Sequence, residues 1–354
     1  MDASGQTVSE RLLGWYDAHA RALPWRSPPG SAPPIHDKDW PYRVWLSEVM
    51  LQQTTTAAVG PYYTKFLERW PTVQALAAAD EAEVMAAWAG LGYYARARNL
   101  LACARAVAER GAFPGTEAGL RELPGLGAYT AAAIAAIAFG ERAVVVDANV
   151  ERVVARLYAI AEPLPGARKA IRARAEELTP GSRSGDFAQA MMDLGATVCT
   201  SRAPRCLLCP LRDDCAAVAT GDPARFPVKV AKAAKPQRSG HAFWIERADT
   251  VWLVTRPGKG MLGGMRALPD DGWSARADGS AASPLAGPWE PGGVVRHGFT
   301  HFNLDMQLML YSGTDLARLG GQGEWWPLAR LAEAGLPTLF AKAARLATTR
   351  DPGE

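Results

Sequence analysis

A chain of 354 residues, 48% hydrophobic and 21% charged, is long enough for two domains and apolar enough to bury a core in each. A net charge of +3 permits a polyanionic partner without requiring one. The opening stretch MDASGQTVSERLLGWYDAHA lacks a charged-then-apolar secretion signal, and the most apolar segment, 131–139, is far shorter than the roughly 20 residues that span a bilayer. The expectation is a soluble cytoplasmic monomer with no membrane role; abundant alanine and arginine look like a GC-rich bacterial genome, which says nothing about function.

In chain order, Val8, Leu12, Leu13 and Tyr16 mark an amphipathic helix over 8–20. Leu23-Pro24-Trp25-Arg26 then leads into a proline-rich loop, 27–41. Pro41 opens a helix predicted over 42–59. Glu48 lies mid-helix, with Val44, Trp45 and Leu51 at minus four, minus three and plus three. A carboxylate among such side chains loses water and holds its proton toward neutrality; at the edge of that face it would reach solvent instead. Residues 60–90 carry short helical patterns broken by Gly60-Pro61, Pro71 and Gly90. The turn GLGYY (90–94) opens a helix with Arg96, Arg98 and Arg105. Arginines beside aromatics suit phosphate contact and insertion into a base stack, and equally a solvated basic helix over core tyrosines.

The stretch LPGLGAYTAAAIAAIAFGERAVVVDAN (123–149) organises the first domain. It reads as a glycine turn, a small-residue helix over 128–139 ended by Gly140, and an apolar run stopped by Asp147. A helix starting straight after two glycines presents free N–H groups and its positive dipole end, a phosphate-binding arrangement. Taken alone, the same residues also make an ordinary interhelical turn, and Asp147 makes an N-cap worth about 1 kcal/mol. Further helices are predicted over 148–160, 166–178 and 185–198.

The last of these delivers Cys199, the first of four cysteines spaced Cys-x6-Cys-x2-Cys-x5-Cys: Cys199, Cys206, Cys209 and Cys215. Four thiolates so close together suit a Zn²⁺ ion or a 4Fe–4S cluster, and the single Cys-x2-Cys knuckle with uneven spacing favours the cluster. Cys103, amid Leu100, Leu101 and Ala104, reads as a buried thiol. With no histidine between His36 and His241, acid–base chemistry in the first domain falls to carboxylates, with Lys or Tyr as minor options. Residues 216–240 read as an extended basic linker. Beyond it, strands are predicted over 241–246 and 250–256 as a hairpin, then a glycine-rich loop over 258–269, strands over 294–297 and 304–311, and helices over 325–334 and 338–348, a small α+β domain.

Taken together, LPWR (23–26), WLSEVMLQQT (45–54), GLGYYARARNL (90–100), LPGLGAYTAAAI (123–134), VDANVERV (146–153), MMDLGATVC (191–199) and the cysteine spacing resemble the adenine DNA glycosylase family of the helix-hairpin-helix glycosylase superfamily. SEVMLQQT is the most discriminating segment, because the hairpin alone marks only the superfamily. The resemblance implies a multidomain protein. Residues 1–217 would form an all-α helix-hairpin-helix catalytic domain including one 4Fe–4S cluster loop, 218–240 a basic linker, and 241–350 a small α+β Nudix-like domain that recognises 8-oxoguanine.

The implied partner is double-stranded DNA carrying an adenine:8-oxoguanine or adenine:guanine mispair, from which adenine is flipped and hydrolysed. The resemblance assigns Glu48 as general acid, Asp147 as the group that stabilises the sugar cation, and Tyr129 and Asn149 as their orienting partners. Gly125, Leu126 and Gly127 would hold phosphate, while Gln53 and Tyr93 would enter the stack. Trp25, Arg26, Leu51 and Gln189 would line the adenine pocket. Phe299, Thr300 and His301 would read the oxidised base, with threonine where serine is more usual. Relatives that also cut the strand carry lysine where this chain has Tyr129, so a monofunctional enzyme is expected. The loop 27–40 is longer than usual, and no Nudix catalytic box of clustered glutamates is present. Two other readings stand beside this one: an iron–sulfur glycosylase for a mismatched or oxidised pyrimidine, and a non-enzymatic DNA-binding module.

Overall fold

A computed structural model describes residues 6–34, 36–230, 234–257, 261–316, 319 and 322–349. The chain forms two compact units, residues 1–78 with 99–232, and residues 79–98 with 233–354. Gly258, Lys259 and Gly260 of the predicted glycine-rich loop lie outside the described residues.

The helices, in chain order, are α1 (Val8–His19), α2 (Trp40–Leu51), α3 (Thr56–Arg69), α4 (Val73–Ala77), α5 (Glu81–Trp88), α6 (Ala95–Arg110), α7 (Glu117–Leu120), α8 (Ala128–Phe139), α9 (Ala148–Leu157), α10 (Arg168–Leu178), α11 (Ser184–Thr197) and α12 (Ala216–Ala219). A capping box of Thr7 and Glu10 starts α1. The single helix predicted over 42–59 is in fact two. Gln53 turns the chain with φ 58°, and Thr55 caps α3 by accepting from the Ala58 N–H, so a threonine run restarts the helix instead of continuing it. The predicted linker also starts late. Phe226 is buried, and the Leu164 N–H donates to the Val228 carbonyl, which ties the chain through 228 to the helical unit.

Helix α8 is the spine of the first unit. Nine of its residues are buried, and its alanines let α2 and α11 pack against it. Gly140 ends it in the left-handed conformation, with the Glu141 N–H returning to the Ala135 carbonyl. The approach of α11 is so close that a Cβ on Gly185 would lie 2.5 Å from the Ala136 carbonyl oxygen and 2.9 Å from the Ile137 Cα. Both are backbone atoms of a packed helix and cannot swing aside. Gly185→Ala is expected to destabilise the protein by about 3 kcal/mol, read as a lower urea midpoint at unchanged slope. A loss under about 0.5 kcal/mol would show that α8 and α11 are not locked together in solution.

The second unit holds two sheets. In the first, β1 (Gln237–Trp244) runs parallel to β6 (Asn303–Tyr311), which pairs antiparallel with β5 (Trp289–Gly298). In the second, β3 (Thr250–Thr255) lies between β7 (Gly323–Pro327) and two short strands, β2 (Glu246–Arg247) and β4 (Arg266–Ala267). The predicted hairpin of 241–246 with 250–256 is therefore confined to β2–β3, and β1 belongs to the other sheet. The helix predicted over 325–334 is a strand and a 3₁₀ turn. Trp325 and Trp326 pair across from Trp252 and Val251, and Pro327 then ends the ladder. Helix α13 (Thr338–Thr348) packs Leu339, Phe340 and Ala343 onto a core of Leu253, Leu304, Met306 and Leu308.

Candidate active site

Between α2, α8, α9 and α11 lies a cavity of about 350 Å³ lined by Trp25, Arg26, Glu48, Leu51, Tyr129, Asp147, Asn149 and Gln189. These residues are scattered over 165 positions of sequence, and packing of four helices brings them together.

Glu48 is 5% exposed, on the face of α2 that turns to α8. Burial pushes its carboxyl up to about 7, aided by the negative charge of Asp147 and opposed by the Tyr129 hydrogen bond and the charge of Arg26. The Tyr129 hydroxyl, in the first turn of α8, donates to Glu48 Oε2 at 2.9 Å. Burial and the two neighbouring carboxylates hold that phenol well above its ordinary range, so it stays a donor. On the neighbouring helix, Gln52 Nε2 donates to Thr130 Oγ1 at 3.0 Å and ties the end of α2 to α8.

Asp147 caps α9. Its Oδ1 accepts from the Asn149 and Val150 N–H groups at 2.8 and 2.7 Å, and its Oδ2 accepts from Asn149 Nδ2 at 2.7 Å. The N-cap role and a place in the cavity wall are thus held by one residue, and the cap fixes where the carboxylate points. Asn149 Oδ1 accepts in turn from Arg152 Nη2 at 2.9 Å, and the same guanidinium donates to the Gly195 and Cys199 carbonyls. A chain of hydrogen bonds runs from the cysteine loop to Asp147.

At the cavity floor, Trp25 packs edge-on against Tyr63, with centroids 5.3 Å apart. Arg26 reaches Asp193 with both terminal nitrogens, at 2.6 and 2.9 Å, and Arg21 joins the same carboxylate. Sequence reasoning missed Arg21, Arg152 and Asp193. The only available signal for Asp193 was a carboxylate inside the otherwise apolar run MMDLG.

The hairpin builds an exposed edge. The Leu126 N–H returns to the Leu123 carbonyl with Pro124 and Gly125 between, and Gly125 has φ 76°, the arrangement of a type II turn. A Cβ there would also meet Asn99 at 2.6 Å. Gly127 caps α8 without a side chain, so its first-turn N–H groups face outward, while Leu126 is buried beneath them. Gln53 is exposed at the turn after α2.

The cysteine loop follows α11, with Cys206 opening a 3₁₀ turn. All four cysteines are half-buried free thiols. Among the described residues, no three His, Cys, Asp or Glu side chains converge on one metal ion. Burial pushes the Cys209 thiol up to about 11, and the neighbouring charges of Cys199, Cys215 and Cys206 push the same way. Such a set of soft donors fits a cationic iron–sulfur core. Arg156, 2% exposed, donates to the Cys199 sulfur and carbonyl at 3.2 Å each, to the Thr200 carbonyl at 2.7 Å and to the Phe226 carbonyl at 3.0 Å. Cys103 is buried, its thiol pushed up to about 12.

In the second unit, the Phe299 N–H and the Phe302 carbonyl close a tight turn between β5 and β6. Phe299 stacks on Phe302 at 4.7 Å and is spent on packing, leaving Thr300 and His301 exposed. Tyr93, 48% exposed with φ 49°, places its hydroxyl 3.1 Å from Thr300 Oγ1.

Residues 46–180 match the family model of the HhH-GPD superfamily base excision DNA repair protein, and residues 241–346 match the NUDIX domain. Adenine DNA glycosylase of Homo sapiens is 34% identical over 97% of this chain and 74% of its own length. The chain belongs to the adenine DNA glycosylase family. The Mycolicibacterium smegmatis adenine DNA glycosylase is 44% identical over 56% of this chain and 66% of its own length, whereas the chain spans 47% of the Arabidopsis thaliana relative. A solved thermostable thymine-DNA glycosylase matches 60% of this chain and 95% of its own, with 30% identity and TM-score 0.52. That match supports the helix-hairpin-helix fold of the first unit. Among the described residues, no helix is long and apolar enough to cross a membrane.

Proposed function

We propose that the chain removes adenine mispaired with 8-oxoguanine or guanine in double-stranded DNA by hydrolysing the N-glycosidic bond. The observation that carries this reading is the pair Glu48 and Asp147 in one cavity, the first desolvated and the second held in place by three N–H donors. Adenine leaves only when protonated. Glu48, whose carboxyl burial pushes up to about 7, delivers that proton to the flipped base while Tyr129 fixes the carboxyl's orientation. The sugar left behind is an oxocarbenium-like cation, and the Asp147 carboxylate stabilises it until water adds. Trp25, Arg26, Leu51 and Gln189 hold the base. The hairpin 125–127 takes a flanking phosphate on its outward N–H groups. Gln53 and Tyr93 enter the gap in the stack.

Cys199, Cys206, Cys209 and Cys215 would hold one 4Fe–4S cluster, which when bound supplies a rigid loop and no step of the hydrolysis. Thr300 and His301, exposed at the tip of the β5–β6 turn, read the edge of 8-oxoguanine, whose N7–H and C8 oxygen differ from guanine. Tyr129 offers no amine at the position where strand-cutting relatives carry lysine, so the enzyme is monofunctional.

Single-turnover reactions on duplexes with adenine opposite 8-oxoguanine, guanine or thymine test the reading. Fast cleavage is expected opposite 8-oxoguanine, slower opposite guanine and none opposite thymine, visible only after alkali. Equal rates on all three duplexes would remove the recognition role of the second unit. Strand breaks without alkali, or an enzyme–DNA adduct trapped by borohydride, would refute monofunctionality.

A further inference from the structure

The carboxylate of Asp193 is wholly buried, with a side-chain exposure of 0%. It carries four hydrogen bonds: from Arg26 Nη1 and Nη2 at 2.6 and 2.9 Å, from Arg21 Nε at 2.6 Å, and from the Arg21 backbone N–H at 3.0 Å. A buried ion pair is costly to assemble and seldom repays its desolvation, so its presence beside the base cavity calls for a reason other than stability.

The reason lies in what Arg26 would otherwise do. Its guanidinium and Glu48 line the same cavity, and each feels the other's charge. A free arginine beside a carboxyl forms a bidentate pair with it. That pair would ionise Glu48 and take away the proton that the leaving base needs. Here both terminal nitrogens of Arg26 are already taken by a second carboxylate, and among the described residues the side-chain donor on Glu48 is the neutral Tyr129 hydroxyl.

We infer that Asp193 is a positioning residue for the reaction: by occupying both Nη nitrogens of Arg26 it withholds that cation from Glu48 and keeps the acid protonated. The inference rests on the proposed role of Glu48. Among the described residues, the groups whose charge or hydrogen bond acts on Glu48 are Tyr129 from α8, Asp147 at the head of α9, and Arg26 from the segment after α1; a second cation of the cavity wall, Arg21, has its Nε bonded to Asp193. Asp193 stays ionised, because hydrogen bonds and charge from Arg26 and Arg21 outweigh its desolvation. It therefore acts through Arg26 and does not touch the base.

The test is the pH dependence of single-turnover adenine release by Asp193→Asn, with thermal unfolding as a folding control. A general acid works when protonated, so the rate falls as pH rises through the Glu48 titration. In Asp193→Asn that fall should move down by about one unit, a roughly tenfold loss above neutrality that shrinks toward acid pH. Arg26→Gln should move it the opposite way, and Arg26→Gln in the Asp193→Asn background should restore the wild-type position or move it higher. A uniform loss at every pH in Asp193→Asn would overturn the inference, since a purely structural role predicts that. If Asp193→Asn does not fold, Arg26→Gln alone decides: an unmoved profile overturns the inference.

The Glu48 carboxyl can also be titrated by carbon-13 NMR in the DNA-free enzyme. That measurement needs no turnover. Absence of adenine release by the wild type would count against the proposed function, whereas an unmoved carboxyl titration in both variants would count against the role of Asp193.

Discussion

Glu48→Gln is expected to lower single-turnover adenine release by about a thousandfold while leaving duplex affinity unchanged. Glutamine keeps the volume and can still accept from the Tyr129 hydroxyl, so the cavity stays intact and only the transferable proton is lost. The same change should stabilise the protein at alkaline pH. In the folded chain burial raises Glu48 from its usual 4.5 to about 7, so the native state keeps a proton that the unfolded chain has released. Stability is full below 4.5, declines between 4.5 and 7 as the unfolded state alone gives up the proton, and is lower by about 3 kcal/mol above that window. Glutamine does not titrate and escapes this decline. Denaturant midpoints of wild type and variant should converge at acid pH and separate above neutrality, the variant higher. Equal midpoints throughout would mean that Glu48 is solvated, and its role as an acid at neutral pH would fall.

Arg156→Ala is expected to cost about 4 kcal/mol and to loosen the cysteine loop. Its guanidinium is buried and serves the carbonyls of Cys199, Thr200 and Phe226 along with the Cys199 sulfur. Alanine removes that donor from the Thr200 and Phe226 carbonyls and leaves the Cys199 carbonyl to Arg152 alone. It also opens a void between α9 and the segment that carries the chain out of the helical unit. Arg152 would then remain as the link between the loop and the site, through the Cys199 carbonyl and Asn149. Chemical denaturation should show the stability loss, and in protein loaded with the proposed cluster visible absorbance should show faster bleaching. A variant with wild-type midpoint and wild-type bleaching would show that Arg156 is dispensable to the loop.

Local patterns in the chain carry much of this site. The glycine turn, the alanine run of α8 and the aspartate after VVV are contiguous, so 123–149 is legible before any folding is considered. Glu48 is legible because helical spacing alone surrounds it with Val44, Trp45 and Leu51. The four cysteines are legible by spacing. What escapes is whatever depends on partners far along the chain. Asp193 meets Arg21 and Arg26 only when α11 packs against α1. The break after α2 escapes because Gln53 adopts the left-handed region against its own propensity, which helical spacing does not signal. Trp325 and Trp326 look helical beside Leu328 and Leu331, yet pairing with β3 decides their conformation. For the same reason the sequence suggests the wrong neighbour for β1: its partner, β6, pairs Gln237 with Asn303, 66 residues on, and parallel pairing leaves no turn signal in the sequence.

The most direct measurement is chromatographic identification of the free base released from a duplex with one adenine opposite 8-oxoguanine, run with wild type and Asp147→Asn at enzyme excess. Stoichiometric free adenine from the wild type, and none from a variant that still binds the duplex, is the predicted result. Adenine released by Asp147→Asn at the wild-type rate would contradict the two-carboxylate mechanism, and a wild type that releases no adenine would contradict the proposed activity itself.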